Sequence, residues 1–283
     1  MFYLTDEAIQ HFIDEALRED VGSGDHSSMA SIDESAVNRA QLIIKDHGIL
    51  AGVDMALHIF RRVDPSLEVE VLIKDGETVH EGQIALTVSG KAWSILTAER
   101  LVLNTMQRMS GIATMTHDLT RHIRHTKAKL LDTRKTTPNF RLCEKWAVAI
   151  GGGVNHRYGL YDMIILKDNH VDYAGGISAA ILSTQKYLAA KKLDLKIIIE
   201  TRTLEEVKQA VETGGVYRIM LDNMNTSLMR DAIKIIGGKY PTEASGGVNK
   251  HNIRSIAECG VDFISVGALT HSVHSLDMSL KAF

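Results

Sequence analysis

The chain has 283 residues, 45% of them hydrophobic, and its 35 acidic and 32 basic side chains leave a formal net charge of -3. This is apolar material enough for two domains or one large barrel, and a slightly acidic chain without a basic tail is not built to bind nucleic acid. No apolar run approaches the roughly 20 residues that cross a bilayer, and Cys143 and Cys259 are too few for a disulfide framework or a thiolate metal site and read as buried thiols.

From Thr5 onward Ile9, Phe12, Ile13, Ala16 and Leu17 recur at helical spacing, with Asp6 and Glu7 at the positive end of the helix dipole. Those acidic residues, with Asp14 and Glu15, do not read as a signal peptide, so a cytoplasmic location is expected. A glycine- and aspartate-rich loop at 19–25 follows, to which no chemistry is assigned. Between Arg39 and Gly90 the period becomes two. Val69, Val71 and Ile73 alternate with Glu68, Glu70 and Lys74, and Ile84, Leu86 and Val88 with Ala85, Thr87 and Ser89. Half-buried strands are expected there, with turns at Asp75-Gly76 and Glu81-Gly82 and a helix over 54–63, which makes the amino-terminal part a small α+β sandwich. The turn at His80-Glu81-Gly82 lacks the modifiable lysine of a carrier-domain loop.

Over 94–125 Ile95, Val102, Met106, Met109, Ala113, Met115 and Leu119 recur at near-helical intervals around Gly111, which predicts one long or broken helix linking the domains. Its methionines read as core filler. The basic run Arg121, His122, Arg124, His125 and Lys127 reads as a solvated helix end, with anion or metal binding as the alternative.

Residues 132–170 concentrate positive charge that the rest of the chain lacks. Leu130 and Leu131 end a buried strand, with Thr133, Arg134 and Lys135 at its carboxyl end. A helix over 140–150 is stopped by Gly151-Gly152-Gly153, His156 and Arg157 lie on a loop, and Met163 to Leu166 form an unbroken apolar strand that Lys167 terminates. A basic cluster on an acidic chain suggests a small polyanionic ligand. Further apolar runs end at Glu200, Asp222 and Gly267, with a weak strand ending near Ser245 between the last two, in steps of about 22 residues, the length of one βα unit. With the earlier two strands this makes at least six β/α repeats, a parallel barrel or near-barrel whose chemistry belongs at the carboxyl ends of its strands. Those ends sort by charge: Arg134, Lys135, His156, Arg157 and Lys167 are basic, Glu200 and Asp222 acidic, and Ser245-Gly246-Gly247 and Val266-Gly267-Ala268 small. A polyanionic ligand that also bears hydroxyl groups uses all three kinds: backbone N–H groups meet phosphate, carboxylates meet hydroxyls or a divalent cation, and cations meet phosphate and carboxylate.

Four motifs in fixed order, DTRKTTP from Asp132, GGGVNHR from Gly151, GLYD from Gly159 and KDNH from Lys167, resemble those of the quinolinate phosphoribosyltransferase family. The likeness continues through LTAER, LN, QR and SGIAT over 96–114, EASGGV over 243–248 and SVGALTHS over 265–272. It implies an incomplete, seven-stranded parallel β/α barrel behind the sandwich, with a division at 1–112, 113–270 and 271–283, the last segment returning towards the amino-terminal domain. It also implies transfer of a phosphoribosyl group from phosphoribosyl pyrophosphate to quinolinate with decarboxylation.

By the same resemblance Arg134, His156, Arg157 and Lys167, with Arg100 on the linking helix, match residues that hold the two quinolinate carboxylates. Lys135, Glu200, Asp222, Ser245 to Gly247, Val266 to Ala268 and His271 match the donor site, and Thr133 lies beside both sets. Lys135, Glu200 and Asp222 are the expected catalytic groups. Magnesium is the implied cofactor, carried by substrate and water near Glu200 and Asp222. The implied partner is a second copy of the chain whose Arg100 completes the neighbour's site. Asn139 stands where the family commonly has glycine, and Ala98 where the family varies. Two other readings are a paralogous phosphoribosyltransferase with a different acceptor and a non-catalytic phospho-ligand sensor; the intact charged set disfavours the second.

Overall fold

The hydroxyl of Thr5 accepts the Ala8 N–H at 3.2 Å and starts the first helix, α1 (Asp6–Val21), as its side-chain pattern requires. The structure is a computed structural model that describes residues 1–283. In chain order there follow α2 (His26–Ser31), β1 (Val37–Ile44), β2 (Gly48–Ile49), α3 (Val53–Val63), β3 (Glu68–Val71), β4 (Thr78–Val79), β5 (Ile84–Lys91) and α4 (Ala92–Ile123). The second half holds β6 (Lys129–Leu131), α5 (Arg141–Ile150), β7 (Ile164–Leu166), α6 (Asp168–Ala174), α7 (Ile177–Lys191), β8 (Ile197–Thr201) and α8 (Leu204–Thr213). It ends with β9 (Arg218–Asp222), α9 (Thr226–Ile236), β10 (Thr242–Ser245), α10 (Ile253–Ala257), β11 (Phe263–Ser265), α11 (Ala268–His271) and β12 (Met278–Ala282). The chain forms two units. One comprises Met1–His117, Lys135–Gly152 and Leu269–Phe283, the other Asp118–Arg134 and Gly153–Ala268.

In the first unit an antiparallel sheet runs in the order β12-β1-β5-β3. Its register sets Leu42 opposite both Leu86 and Leu280, so Ala40, Leu42 and Ile44 point inwards with Leu86 and Val88. Ile59 and Phe60 of α3 are fully buried in this unit's core, and α1 adds Ile9 and Ile13. Asp75 accepts the N–H groups of Val53 (2.8 Å) and Asp54 (3.2 Å), so the expected Asp75-Gly76 turn also caps α3. The linking helix is unbroken: α4 runs 32 residues straight through Gly111. Glycine is needed there for close approach, because a Cβ would lie 2.1 Å from the His274 carbonyl oxygen. A short helix absent from the sequence reading, α2, follows the glycine-aspartate loop. Asp25 caps it by accepting the Ser28 N–H at 3.1 Å. Asn139 has φ 61°, the left-handed conformation that glycine adopts without strain and asparagine tolerates better than other residues.

The second unit is a six-stranded parallel sheet in the order β6-β11-β10-β9-β8-β7. A single parallel bridge from Val154 to Leu131 extends its β6 edge, and no pairing joins that edge to β7, so the ring of strands is open. Ile197, Ile198 and Ile199 are all buried, as in a strand covered on both faces. Cys143 and Cys259 are buried free thiols. No helix is long and apolar enough to cross a membrane.

Candidate active site

In the second unit charged side chains sit where parallel strands stop. Asp132, just past β6, is fully buried. Its Oδ1 accepts the His156 N–H at 2.8 Å and its Oδ2 the Asn155 amide at 2.6 Å. One carboxylate therefore fastens the loop after Val154 to the strand end that carries Thr133 and Arg134. Arg157 is buried and donates from Nη1 to the Met163 carbonyl at 2.9 Å. Asp162 accepts the N–H groups of Tyr158 and Gly159, both at 2.7 Å, which closes the loop and gives the aspartate of GLYD its role. Burial pushes the Arg157 guanidinium below its ordinary range, and the Arg134 charge pushes it further. Two guanidinium groups held against their own repulsion are a site for an anion.

On the strand at the opposite edge from β6, Lys167 follows β7 and its side chain is exposed. Its N–H donates to His170 Nδ1 at 3.0 Å, so the histidine of KDNH serves the start of α6. Glu200 is the penultimate residue of β8 and Asp222 the last of the adjacent strand β9. Burial pushes Glu200 up to about 7, the Asp222 charge and hydrogen bond add to it, and the Lys167 charge pulls it down. Neighbouring carboxyl groups of this kind fit a divalent cation or sugar hydroxyls. Asn223 Nδ2 donates to Asp222 Oδ2 at 2.7 Å and fixes that carboxylate.

The turn after β10 is built for close approach. Gly246 has φ 92°, a Cβ there would lie 2.1 Å from Asn223 Oδ1, and Asn223 N–H donates to the Ser245 carbonyl at 2.8 Å. The Gly247 carbonyl accepts from the amides of Asn249 (3.2 Å) and Asn252 (3.0 Å). Val266 N–H donates to the Leu131 carbonyl at 3.0 Å, and Gly267 and Ala268 continue into α11. The second unit therefore gathers Thr133, Arg134, His156, Arg157, Lys167, Glu200, Asp222 and both small-residue turns. Arg100, Lys135 and His271 belong to the first unit, each exposed.

Sequence reasoning gave no role to Glu243, which lies fully buried in the middle of β10. Arg218 Nη1 reaches its Oε2 at 2.6 Å, Ser265 Oγ donates to its Oε1, and His156 Nε2 stands 3.4 Å from Oε2. Burial alone would raise this carboxyl, but the hydrogen bond from His156 and the charges of His156 and Arg218 bring it below its ordinary value. His156 Nδ1 accepts the Arg157 N–H at 2.7 Å, which leaves Nε2 facing Glu243. The signal was in the sequence: a glutamate inside a strand of a parallel sheet needs a buried partner.

An open parallel β/α barrel with paired guanidinium groups and paired carboxyl groups at its strand ends defines a scaffold for a small anionic ligand bearing hydroxyl groups. The chain belongs to the quinolinate phosphoribosyltransferase family: the model of that family's N-terminal domain matches residues 25–110 and that of its C-terminal domain residues 112–281. It is 48% identical over 281 residues, covering 94% of this chain and 80% of the relative, to the chloroplastic nicotinate-nucleotide pyrophosphorylase (carboxylating) of Arabidopsis thaliana. It is 40% identical, covering 96% of this chain and 92% of the relative, to a probable enzyme of the same name from Synechocystis. Among solved structures, NadC from Streptococcus pyogenes superposes with a TM-score of 0.91 at 37% identity, covering 99% of both chains.

The raised Glu200 carboxyl makes a prediction whose sign is set by linkage. The folded state binds its proton more tightly than the unfolded chain, so the ionisation penalty is absent below about 4.3 and complete above about 7. Relative to Glu200→Gln, the parent protein should lose thermal stability as pH rises from about 4.5 to 8. Melting curves of both across that range check it, and a constant difference would contradict the assignment.

Proposed function

We propose that the chain transfers the phosphoribosyl group of phosphoribosyl pyrophosphate to quinolinate and releases the 2-carboxylate, giving nicotinate mononucleotide, carbon dioxide and pyrophosphate. One observation carries this reading: a single sheet ends in the Arg134 and Arg157 pair on one side and the Glu200 and Asp222 pair on the other. The guanidinium groups, with Lys167 and with His156 beside them, suit a dicarboxylate. The carboxyl pair suits ribose hydroxyls, and the turns at Ser245 to Gly247 and Val266 to Ala268 suit the phosphates.

In the reaction the pyridine nitrogen lone pair forms a bond to ribose C1 while the C1–O bond breaks and its electrons leave with pyrophosphate. Positive charge builds on the sugar, where Glu200 and Asp222 stabilise it, and negative charge builds on the leaving group, which Lys135 meets. The N-ribosylated ring then accepts the electron pair of the bond to its 2-carboxylate. Carbon dioxide departs and a proton from solvent takes its place at C2. Magnesium is part of the proposal: Glu200 and Asp222 are the residues that would hold it, and it would offset pyrophosphate charge. A cytoplasmic location is also proposed, in keeping with the free thiols Cys143 and Cys259.

Substrate charge gives the test. Nicotinate lacks the 2-carboxylate and leaves cations unpaired in a partly desolvated site, so at equal concentration it should react at least about a hundredfold more slowly than quinolinate. Nucleotide formation from each acid measures this, and equal rates would overturn the reading.

The proposal extends to a homodimer in which Arg100, exposed on α4, serves the neighbouring subunit's site. Mixing Arg100→Ala and Lys135→Ala chains at equal concentration and allowing exchange should restore about a quarter of parental activity, since half the dimers are mixed and each has one whole site. No recovery after verified exchange would place Arg100 in its own chain's site.

A further inference from the structure

Nothing in the proposed chemistry uses Arg108 or Glu144. Both belong to the first unit, as do Lys135 and His271, to which their partners lead. Glu144, on α5, is fully buried, and Arg108, on α4, is mostly so. Arg108 donates to Glu144 Oε1 from Nε at 3.2 Å and from Nη2 at 2.9 Å. The rest of the guanidinium meets the end of α11, with Nη1 donating to the Val273 carbonyl at 3.2 Å and Nη2 to the Thr270 carbonyl. It therefore satisfies carbonyl groups at the end of a four-residue helix that could not satisfy them itself.

The carboxylate faces the other way. Glu144 Oε1 accepts the Thr137 hydroxyl at 2.9 Å and Oε2 the Thr137 N–H at 3.1 Å, which pins the turn two residues after Lys135. Thr270 closes the circuit, its hydroxyl donating to the Lys135 carbonyl at 2.7 Å. Gly111, three residues beyond Arg108, admits the Val273 side chain and the His274 backbone against α4. The exposed side chains of Lys135 and His271 thus rise from two segments whose backbones are locked to one buried ion pair.

We infer that Arg108 and Glu144 are positioning residues that hold Lys135 and His271 in fixed relation for the phosphoribosyl donor. The inference rests on the donor-side assignment of those two residues made above. A pair that only stabilised the fold would act on both substrates alike, whereas a pair acting through Lys135 acts on the donor.

Calorimetry with phosphoribosyl pyrophosphate and magnesium, and separately with quinolinate, on Lys135→Ala, Arg108→Ala, Thr270→Val and the double variant Arg108→Ala/Lys135→Ala separates these. Arg108→Ala should weaken donor binding about tenfold or more and quinolinate binding less than about threefold. Millimolar guanidinium should restore part of the loss. Thr270→Val keeps the carbonyl that Arg108 binds and removes the hydroxyl that reaches the Lys135 carbonyl, so it should move donor affinity in the same direction even if Arg108→Ala proves too unstable to purify. The double variant should bind the donor within about twofold of Lys135→Ala alone, because the two changes remove one function. Equal losses for both ligands, or fully additive losses, would overturn the inference. If Lys135→Ala weakens donor binding while Arg108→Ala and Thr270→Val do not, the positioning role falls and the reading of the site stands. If Lys135→Ala itself leaves donor binding unchanged, the donor-side assignment falls and the inference with it.

Discussion

The second unit depends on one buried carboxylate. Glu243 sits without solvent exposure in β10, and an ion there is tolerated only because Arg218 of β9, Ser265 of β11 and His156 all turn towards it. Removing one partner of such a pair commonly costs about 3–5 kcal/mol, since the other charge is left in a medium that cannot solvate it. The Arg218 guanidinium is also stacked 3.8 Å from the Phe263 ring centroid, which fills the space around the ion pair with apolar surface. Three neighbouring strands are thereby fixed in register by a polar contact as well as by their ladder hydrogen bonds.

That contact also reaches the rim. His156 is gripped through its ring by Glu243 and through its N–H by Asp132, and its Nδ1 accepts the N–H of Arg157. The position of one guanidinium of the anion site is therefore set by carboxylates beneath it. The same economy of charge governs the carboxyl pair. Burial and the Asp222 charge push the Glu200 carboxyl up to about 7, and the cations lie at other strand ends of the same sheet. Attraction for an anion and for a polyol or cation are kept apart by the sheet itself, on a chain whose net charge is only -3.

Much of this was legible in the residues. The period-two pattern located β3 and β5, the unbroken apolar runs located β7, β8 and β9, and the charged residues that end those runs are the strand-end groups of the structure. What escaped reading was set by contacts distant in sequence. β10 looked weak because Glu243 counts as polar, although Arg218, 25 positions earlier, neutralises it. α2 was missed because its start depends on the Asp25 cap more than on an apolar face. The pairing of β12 was not read because its partner β1 lies more than two hundred positions back. The QR pair in α4 could be matched to a motif, but the hydrogen bonds of Arg108 to Glu144, Thr270 and Val273 are visible only in three dimensions.

The central claim is that cations and carboxyl groups at the ends of one sheet couple ribosylation to loss of the 2-carboxylate. The measurement that addresses it is the yield of carbon dioxide, from quinolinate labelled in that carboxylate, against pyrophosphate in the same reaction. The account predicts equal amounts of both, each requiring quinolinate and phosphoribosyl pyrophosphate together; pyrophosphate released without carbon dioxide, or without quinolinate, would contradict it.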